Sequence, residues 1–458
     1  VADILYLTPE GAPHVFRPPV SALEGDEVLP DKRGYNFDGC SPLALIEKAG
    51  VENNKIVFPG GASYSIMVLP NFQTMTPELL EKIESLVKMG AVIVGTPPVK
   101  SPSLVNYPEC DQKVSSLAEI IWGGIETPDV ETERKYGKGK IFWGGNYSVS
   151  DTTELYPHYD VTAELLRKLG MNEDFKSSGS IRYTHRTTDE EDVYFISNRT
   201  TQSILDTCTF RVESGTPELW DPVTGETRLL PEFYHQNGNT SIPVKLDEDQ
   251  SFFIVFPKSR KNEPVAGIKN FPEIETISEL EGEWNVSFDP KWGAPEKIIF
   301  DKLEDWSKRP EEGIRYYSGI ATYNKSFDFP KLDNSKIYTD LYLNLGEVKN
   351  LARVRLNGKY LGIIWTSPWQ VKITDVVKDE GNQLEIEVVN LWANRLIGDE
   401  NKPDDGVKDG KWPEWLLEGK PRTSGRYTFT THRYYKKDMP LQASGLLGPV
   451  VIQKVESR

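Results

Sequence analysis

The chain has 458 residues, which is long enough for about three domains of ordinary size. Its 53 basic and 69 acidic side chains give a net charge of −16, which argues against a nucleic-acid partner because phosphates favour clustered lysine and arginine. Three scattered cysteines form neither a disulfide framework nor a zinc motif, and no run approaches the ~20 apolar residues of a membrane-spanning helix.

Residues 1–175 alternate apolar strands with helices. A strand-like run begins almost at the first residue, at 2–7, so we expect the sequence to be a fragment of a longer polypeptide. The pairs Ser41-Pro42 and Thr76-Pro77 each predict the start of a helix. Further strands are predicted at 66–69, 91–94 and 140–143, and further helices at 109–122 and 160–169. This alternation predicts a parallel sheet with helices on both faces, in which ligands gather at the carboxyl ends of the strands.

After residue 175 the pattern changes to short strands separated by turn signals. Residues 176–260 are predicted to form a small all-β sandwich domain. In the last part, 275–458, alternating apolar residues predict further strands, and Asn357-Gly358 predicts a tight hairpin. An antiparallel β-sandwich or jelly roll is expected there, with a long charged loop at 399–424. The fold class is therefore predicted to be multidomain, α/β plus all-β.

Two residues that follow the first strand are the best candidates for catalysis. Glu10 and His14 stand in a loop at the predicted carboxyl edge of the parallel sheet, where a carboxylate and an imidazole would face a ligand. The alternative is a loop in which Glu10 is solvated and has no catalytic role. Glycoside hydrolysis needs two carboxylates across the scissile bond, and spacing alone pairs none of the 69 acidic residues.

A different chemistry would use Cys40 as the nucleophile of an amidotransferase-like hydrolase. Such an enzyme holds its cysteine on a strained turn between a strand and a helix. Cys40 precedes the predicted helix at Ser41, but no clear strand is predicted before it and no His/Glu pair follows at a convincing spacing. This is the weakest of the functional hypotheses. Cys110 and Cys208 are expected to be buried as small apolar residues.

Eight of the eleven tryptophans lie after residue 280, which favours either a sandwich core or a sugar-binding surface in this region. An indole has an apolar face and a polar N–H, which suits the C–H face of a sugar ring. Asparagine and arginine offer planar donors and acceptors for sugar hydroxyls. The substrate-binding candidates are Trp365, Trp369, Asn390, Trp392, Asn394 and Arg395. The alternative for Arg395 is an ion pair with a buried carboxylate that pins a loop to the sandwich.

Several stretches together resemble the α-L-rhamnosidases of glycoside hydrolase family 106. They are ADILYLTPEGAPH at 2–14, VFPGGASYSIMVLP at 57–70, the helix at 75–90, KSPSL at 100–104 with Tyr107-Pro108, ELWDPVTGE at 218–226, LWANRLIGDE at 391–400 and SGLLGPV at 444–450. Each stretch is short, but they occur in the family's order over the whole chain.

The resemblance implies that this chain follows the catalytic (β/α)8 barrel of such an enzyme, whose carboxylates and calcium site are absent here. It implies a flavodoxin-like or amidotransferase-like domain over 1–175 and a galactose-binding-like jelly roll over 275–458, as in glycoside hydrolase family 2. No catalytic residue is transferred with it, although Glu10 and His14 match a family loop that approaches the barrel mouth.

The implied partners are a rhamnose-containing glycan and the upstream barrel of the same polypeptide. The implied location is periplasmic or secreted. No cofactor is expected, although jelly rolls often hold a structural calcium through loop oxygens. The alternative function is a stand-alone carbohydrate-binding protein without catalysis.

Overall fold

The computed structural model describes every residue except 12–14, 26–27, 29, 150–153, 261–263, 266, 332–337 and 457–458. Its internal contacts divide the chain into two compact units. The first comprises Val1–Thr200, Ile204–Leu246 and Ser251–Asn270, and the second comprises Thr201–Ser203, Asp247–Gln250 and Phe271–Arg458. No helix in the described part of the chain has the length and apolar character needed to cross a membrane.

The first unit combines helices with parallel and antiparallel sheets. Its helices are α1 (Pro42–Lys48), α2 (Pro77–Met89), α3 (Glu109–Trp122) and α4 (Tyr159–Lys168), with 3-10 turns at Val20–Ala22 and Gly145–Tyr147. Its strands are β1 (Ile4–Leu7), β2 (Leu23–Glu24), β3 (Asp31–Lys32), β4 (Phe37–Cys40), β5 (Gly50–Glu52), β6 (Lys55–Val57), β7 (Ser63–Tyr64), β8 (Ile66–Val68), β9 (Val92–Val94), β10 (Thr132–Tyr136), β11 (Gly139–Trp143), β12 (Phe175–Lys176), β13 (Ile181–Thr187), β14 (Glu191–Asn198), β15 (Ile204–Phe210), β16 (Glu218–Trp220), β17 (Thr227–Leu229), β18 (Tyr234–Gln236), β19 (Asn239–Leu246) and β20 (Ser251–Pro257).

The predicted parallel sheet is confirmed. Strands β4, β1, β8, β9 and β11 lie side by side and parallel, and β10 pairs antiparallel with β11 at one edge. Numbered along the chain, the parallel strands follow the order 2-1-3-4-5. Side chains of β1 alternate between two cores, because Leu5 and Leu7 pack with α2 and α3 whereas Ile4 and Tyr6 pack with α4. Helices therefore cover both faces of the sheet.

Helix α2 has local signals at both ends. The Thr76 hydroxyl accepts a hydrogen bond from the Leu79 amide, and Pro77 occupies the first helical position. The helix ends at Gly90, whose φ of +128° is one that L side chains rarely adopt. The buried face consists of Leu79, Leu80, Ile83, Leu86 and Val87. These residues recur at helical spacing, which is why the prediction succeeded.

Residues 175–257 form two antiparallel sheets, β12-β15-β19-β18 and β13-β14-β20-β16-β17. The side chains of β14 and β19 alternate between buried and partly exposed positions. This period of two is the pattern of strands with one face in a core. The all-β character predicted for this region is therefore confirmed.

A buried charged cluster, the His185 network, joins this all-β part to the parallel sheet within the first unit. It consists of Asp3, Asp174, His185, Asp192 and Arg211. The Arg211 guanidinium contacts Asp3 at 3.0 Å and Asp174 at 3.1 Å. The two His185 ring nitrogens lie 2.9 Å from Asp174 and 3.3 Å from Asp192. Because both nitrogens face carboxylates, the cationic imidazole, which carries a proton on each nitrogen, can donate to both.

Burial and hydrogen bonding act in opposite directions on this network. Burial disfavours the charged form of His185, but the hydrogen bonds to Asp174 and Asp192 outweigh it and raise the pKa of the imidazole. Burial also raises the pKa of Asp3 despite the nearby Arg211. The network thus places ionisable acids and a histidine in the interior of the first unit.

The second unit is almost entirely β. Its strands are β21 (Ile274–Glu279), β22 (Trp284–Phe288), β23 (Lys297–Phe300), β24 (Ile320–Phe327), β25 (Tyr338–Asn344), β26 (Glu347–Lys349), β27 (Leu351–Leu356), β28 (Lys359–Ile364), β29 (Gln370–Lys372), β30 (Asn382–Val389), β31 (Gly445–Gly448) and β32 (Val451–Glu456). Its helical segments are α5 (Glu312–Arg315), α6 (Ala393–Asp399) and α7 (Glu414–Leu417), with 3-10 turns at Pro290–Trp292 and Trp306–Lys308.

Two antiparallel sheets of the second unit, β21-β32-β25-β29 and β23-β22-β24-β30-β27-β28, share one hydrophobic core. In β30 the alternate residues Leu384, Ile386 and Val388 are buried in it. On the opposite face of β30, Glu387 pairs with Arg353 of β27 at 2.7 Å. The predicted antiparallel sandwich is therefore confirmed at the level of its two packed sheets.

Two local predictions in this unit had different outcomes. Asn357 and Gly358 connect β27 to β28 with φ of +53° and +81°, as expected for a tight hairpin turn. The loop predicted at 399–424 is not entirely irregular, because α6 ends at Asp399 and α7 forms one helical turn inside the segment. The charged and Gly/Pro-rich composition concealed this turn.

Candidate functional site

The carboxyl edge of the parallel sheet is the first place to look for a ligand. In a 2-1-3-4-5 sheet the strand order reverses between β1 and β8, and ligands of such sheets bind in the crevice outside this point. The crevice here is lined by residues that include Thr8, Glu10, Pro70, Phe72 and Met75, and its volume is about 10 Å³. That is the space of about one water molecule, so a sugar ring does not fit.

Glu10 is held at this edge by helix α2. Its two carboxylate oxygens accept hydrogen bonds from the Thr76 amide at 2.7 Å and from the Thr76 hydroxyl at 2.5 Å. A carboxylate at a helix N-terminus is also stabilised by the helix dipole. The structure therefore places Glu10 as an anchor between the loop after β1 and the start of α2. His14 lies outside the described residues.

Cys40 does lie between a strand and a helix, contrary to the sequence-based expectation that no strand precedes it. Strand β4 ends at Cys40, and α1 begins two residues later at Pro42. The thiol is buried and donates weakly to the Ser41 carbonyl at 3.3 Å. Burial raises the pKa of Cys40 to about 11, so the thiolate needed for nucleophilic attack is scarce at neutral pH. The position fits an amidotransferase-like nucleophile, but the chemistry does not.

In the second unit, Asn390 and Asn394 lie at the corner where β30 leads into α6. The Asn390 amide donates to the Tyr317 carbonyl at 2.8 Å, and its carbonyl accepts from the Gly319 amide at 3.1 Å. The Asn394 side chain exchanges hydrogen bonds with the Gln442 backbone at 2.7 and 2.8 Å. Both asparagines are buried, so they hold backbone segments together at this corner.

Arg395 is also buried, and among the described residues its guanidinium contacts a carbonyl and an aromatic ring. It donates to the Trp292 carbonyl at 2.6 Å and lies 4.3 Å above the Tyr427 ring. Burial lowers the pKa of this guanidinium even though Asp399 acts in the opposite direction. Its Nε is buried without a hydrogen-bond partner among the described residues. Arg395 thus fixes the Trp292 and Tyr427 segments against α6.

The tryptophan candidates occupy more accessible positions. Trp392 begins the same corner, is 54% exposed and meets Trp292 edge-on at 5.5 Å. Trp365 follows β28 and is 59% exposed, whereas Trp369, ahead of β29, packs partly against the sandwich core. The six substrate-binding candidates therefore divide into solvent-facing indoles at Trp365 and Trp392 and residues engaged within the fold.

The sequence prediction passed over an aromatic group in the segment between α6 and β31. Trp412 stacks on Phe429 at 5.9 Å with an angle of 23° between the ring planes. Trp415 meets Phe429 edge-on at 5.8 Å, and the Arg422 guanidinium lies 5.1 Å above Trp415. The available signal was two tryptophans three residues apart, on either side of Pro413.

The described part of the chain shows no cluster of side chains that could bind a metal ion. Within the described ranges, no group of three or more His, Cys, Asp and Glu side chains is arranged to hold a metal ion. A structural calcium needs six to eight oxygen ligands, usually with several carboxylates among them. The described residues therefore single out no place for calcium, and no chemistry is assigned to it.

Two known proteins are similar to this chain over almost its whole length. A solved rhamnosidase from Novosphingobium sp. PP1Y is 30% identical, with a TM-score of 0.77, over 99% of this chain and 39% of its own length. A curated protein of Formosa agariphila, named "Putative beta-glucuronidase", is 25% identical over 99% of this chain and 55% of its own length. This chain thus spans about half, or less, of the length of these relatives.

The family comparison bears on the first unit. The model of the family described as alpha-L-rhamnosidase matches residues 1–235. This range includes the parallel sheet, Glu10 and the whole His185 network. The solved Novosphingobium structure extends the similarity over the sandwich of the second unit. The chain therefore belongs to the alpha-L-rhamnosidase family, glycoside hydrolase family 106.

Proposed function

We propose that this chain supplies the accessory, carbohydrate-contacting domains of a longer α-L-rhamnosidase-type glycoside hydrolase whose catalytic barrel lies outside it. The observation that carries the proposal is the unequal coverage: nearly all of this chain matches the Novosphingobium rhamnosidase, yet it spans only 39% of that enzyme. More than half of a related enzyme thus has no counterpart in these 458 residues. The catalytic carboxylates are proposed to lie in that part.

The geometry of the first unit supports this assignment. A glycosidase needs two carboxylates about 5–10 Å apart across an open cleft. Glu10 has both oxygens committed to Thr76, and the crevice beside it holds about one water molecule. We therefore assign Glu10 a structural role and treat Trp365 and Trp392 as the candidate sugar contacts.

The finer fold assignment is part of the same proposal. The strand order 2-1-3-4-5 supports a flavodoxin-like or amidotransferase-like domain over 1–175. The paired sheets of 175–257 support a small sandwich domain over 176–260. Two antiparallel sheets over one core support a galactose-binding-like jelly roll over 275–458. Limited proteolysis that releases stable fragments at other boundaries would contradict this division.

The substrate is proposed to be a rhamnose-containing glycan, and the location of the longer enzyme to be periplasmic or secreted. The family and the Novosphingobium relative support rhamnose, although the name of the Formosa protein refers to a different sugar. Fractionation of the producing cells tests the location, since an enzyme for external glycans is expected outside the cytoplasm.

The decisive experiment is an assay of the 458-residue chain on a chromogenic α-L-rhamnoside, together with calorimetric titration of a rhamnose-containing oligosaccharide. We expect no turnover, because the proposal places the catalytic carboxylates outside this chain. Turnover that is lost in Glu10→Gln would place the catalytic groups inside this chain and overturn the proposal. The Asp38→Asn variant serves as the matched control, because Asp38 is also near this edge but is half exposed.

A further inference from the structure

The segment from 400 to 442 is a long excursion from the sandwich that is nevertheless well fixed. Asp405 accepts hydrogen bonds from the Ser424 hydroxyl and from two nitrogens of Arg422, one of them at 2.8 Å. The Trp415 indole N–H donates to the Asp405 carbonyl at 2.8 Å. Loops of this length without regular structure are uncommon in compact domains and usually have a function. We call this set of contacts the Asp405 network.

A second arginine fastens the beginning of the same segment. The Arg426 guanidinium donates to Glu400 at 2.7 Å and to the backbone carbonyls of Lys402 and Pro403 at 3.1 and 2.8 Å. Asp399, at the end of α6, accepts from the amides of Tyr427 and Thr428 at 3.0 and 2.6 Å. The segment is therefore ordered by its own polar contacts before any partner binds.

Trp412 is rigidly placed within this segment. On its N-terminal side, Lys408 and Lys411 exchange backbone hydrogen bonds of 3.1 and 2.8 Å across a tight turn. On its C-terminal side, Pro413 restricts the backbone and is the N-cap of α7. A ring fixed in this way loses little conformational freedom when a ligand lands on it.

Trp412 is stacked on a second ring and is nevertheless about half exposed. Phe429 packs nearly parallel against one face, and the side chain is still 49% exposed. Trp392, which is similarly exposed, is contacted by its neighbour Trp292 edge-on instead. Trp412 therefore presents a flat apolar platform backed by a second ring, in a unit whose relatives are carbohydrate-active.

The chemistry of the platform selects its ligand. A pyranose ring has a face of C–H groups that packs on an indole and hydroxyls at its rim that remain in water. Large exposed apolar surfaces instead favour a protein partner. Leu416, Leu417 and Tyr434 of the same segment are also exposed, so a protein partner is the competing outcome that the test must separate. The stacked Trp412 ring itself is a flat surface that matches the C–H face of one sugar residue.

From these observations we propose that Trp412, backed by Phe429, is a glycan-binding platform that holds one sugar residue of the substrate chain. The proposal rests on the carbohydrate function argued above and adds a contact residue to Trp365 and Trp392. Trp415 and Arg422 are positioning residues, since they hold Phe429 and Asp405 rather than the sugar.

The test titrates the 458-residue chain with an oligosaccharide of alternating rhamnose and galacturonate by calorimetry and indole fluorescence. We expect Trp412→Ala and Trp412→Leu to weaken binding at least about tenfold, the equivalent of one ring stack. Trp412→Phe retains a flat ring and should recover most of the affinity. Trp412→Leu preserves apolar packing on Phe429, so it separates lost stacking from lost folding.

Other outcomes overturn the proposal in distinguishable ways. Wild-type affinity in Trp412→Leu, with affinity lost in Trp365→Ala or Trp392→Ala, moves the sugar contact elsewhere and leaves the accessory function intact. A change in sedimentation without a change in sugar affinity makes the surface a protein interface. Absence of oligosaccharide binding by the wild-type chain removes the platform but not the assignment of catalysis to another region, which the turnover assay tests separately.

Discussion

One buried and one partly exposed polar network fix parts of the chain, and they are built from different side chains. The His185 network in the first unit places an imidazole between two carboxylates and adds Arg211. The Asp405 network in the second unit uses a carboxylate and guanidinium groups. The first contains an imidazole, which can lose a proton as pH rises, whereas the guanidinium groups of the second stay charged. Similar geometry therefore gives different responses to pH.

The difference also appears in the acids of the two networks. Burial raises the pKa of Asp3 in the first, although Arg211 opposes it. In the second, the hydrogen bond from Arg422 lowers the pKa of Asp405 to about 2, against the effect of burial. The partly exposed Asp405 is thus kept ionised by its two hydrogen bonds from Arg422, whereas burial disfavours the ionised form of Asp3.

The largest effect is expected from Arg211→Met, which breaks the His185 network. It leaves Asp3 and Asp174 buried without their shared cation, a change that typically costs about 3–5 kcal/mol. Urea unfolding of the first unit at pH 7 measures it. The exposed Arg186→Met on β13 is the control and should change stability by less than about 0.5 kcal/mol. Equal losses of unfolding free energy in the two variants would show that the His185 network adds no more stability than an exposed arginine does.

A smaller effect is expected from Asp405→Ala, which breaks the second network. It removes hydrogen bonds between charged groups worth about 2 kcal/mol, and the loss should stay local to the 400–442 segment. Hydrogen exchange should quicken there while β30 remains protected. The exposed Asp438→Ala in the same segment is the control. Faster exchange throughout the sandwich would contradict the view that this network orders the segment alone.

Arg422→Lys sharpens the comparison by keeping the charge and removing the planar fork. Lysine cannot donate in parallel to both Asp405 oxygens or stack on Trp415 in the same way. We expect a loss of about 1 kcal/mol, measured by hydrogen exchange of the same amides. Lys436→Arg is the converse control at an exposed position. If Arg422→Lys were silent, charge alone would explain the network.

The smallest effect at neutral pH is expected from His185→Gln, and the pH dependence of the free energy of unfolding should distinguish the two networks. His185 has a raised pKa when folded, so its contribution is complete below about pH 6.5 and is lost as pH rises through the folded value. Asp192 has a lowered pKa, owing to His185 once burial is outweighed, so its contribution is lost as pH falls through that value. The stability difference between wild type and His185→Gln should therefore shrink toward alkaline pH.

The control for this titration is His432→Gln, at an exposed histidine. Its stability should follow the wild type across the pH range. Exchange of the 400–442 amides should lack the alkaline transition, because Arg422 and Asp405 stay ionised between pH 5 and 9. A His185→Gln difference that grows with pH would contradict the assignment of a protonated imidazole.

The sequence predicted those elements whose signals are local. The Thr76-Pro77 start of α2 and the Asn357-Gly358 hairpin depend on neighbouring residues, so they could be identified without knowledge of the fold. Strand β4 was missed because its interior, Asp38 and Gly39, is exposed and carries no apolar pattern. The turn α7 was missed because it spans only four residues.

The candidate site depended on contacts between distant residues, which spacing does not reveal. Glu10 meets Thr76 and Trp412 meets Phe429 only after the chain has folded. For Arg395 the structure shows contacts with the Trp292 carbonyl and the Tyr427 ring, which the sequence did not indicate, and its contact with sugar stays a prediction. The residue types indicated that these side chains would make polar or ring contacts, but not which residues they would contact.

The carboxylate of Glu10 at the start of α2 has a thermodynamic consequence for the sheet beneath it. An anion that arrives from solution stabilises its site only in proportion to its concentration. Here the anion is covalently part of the chain, so its local concentration is fixed. The stability of this edge of the sheet should therefore be independent of the concentration of phosphate or organic acids in the medium.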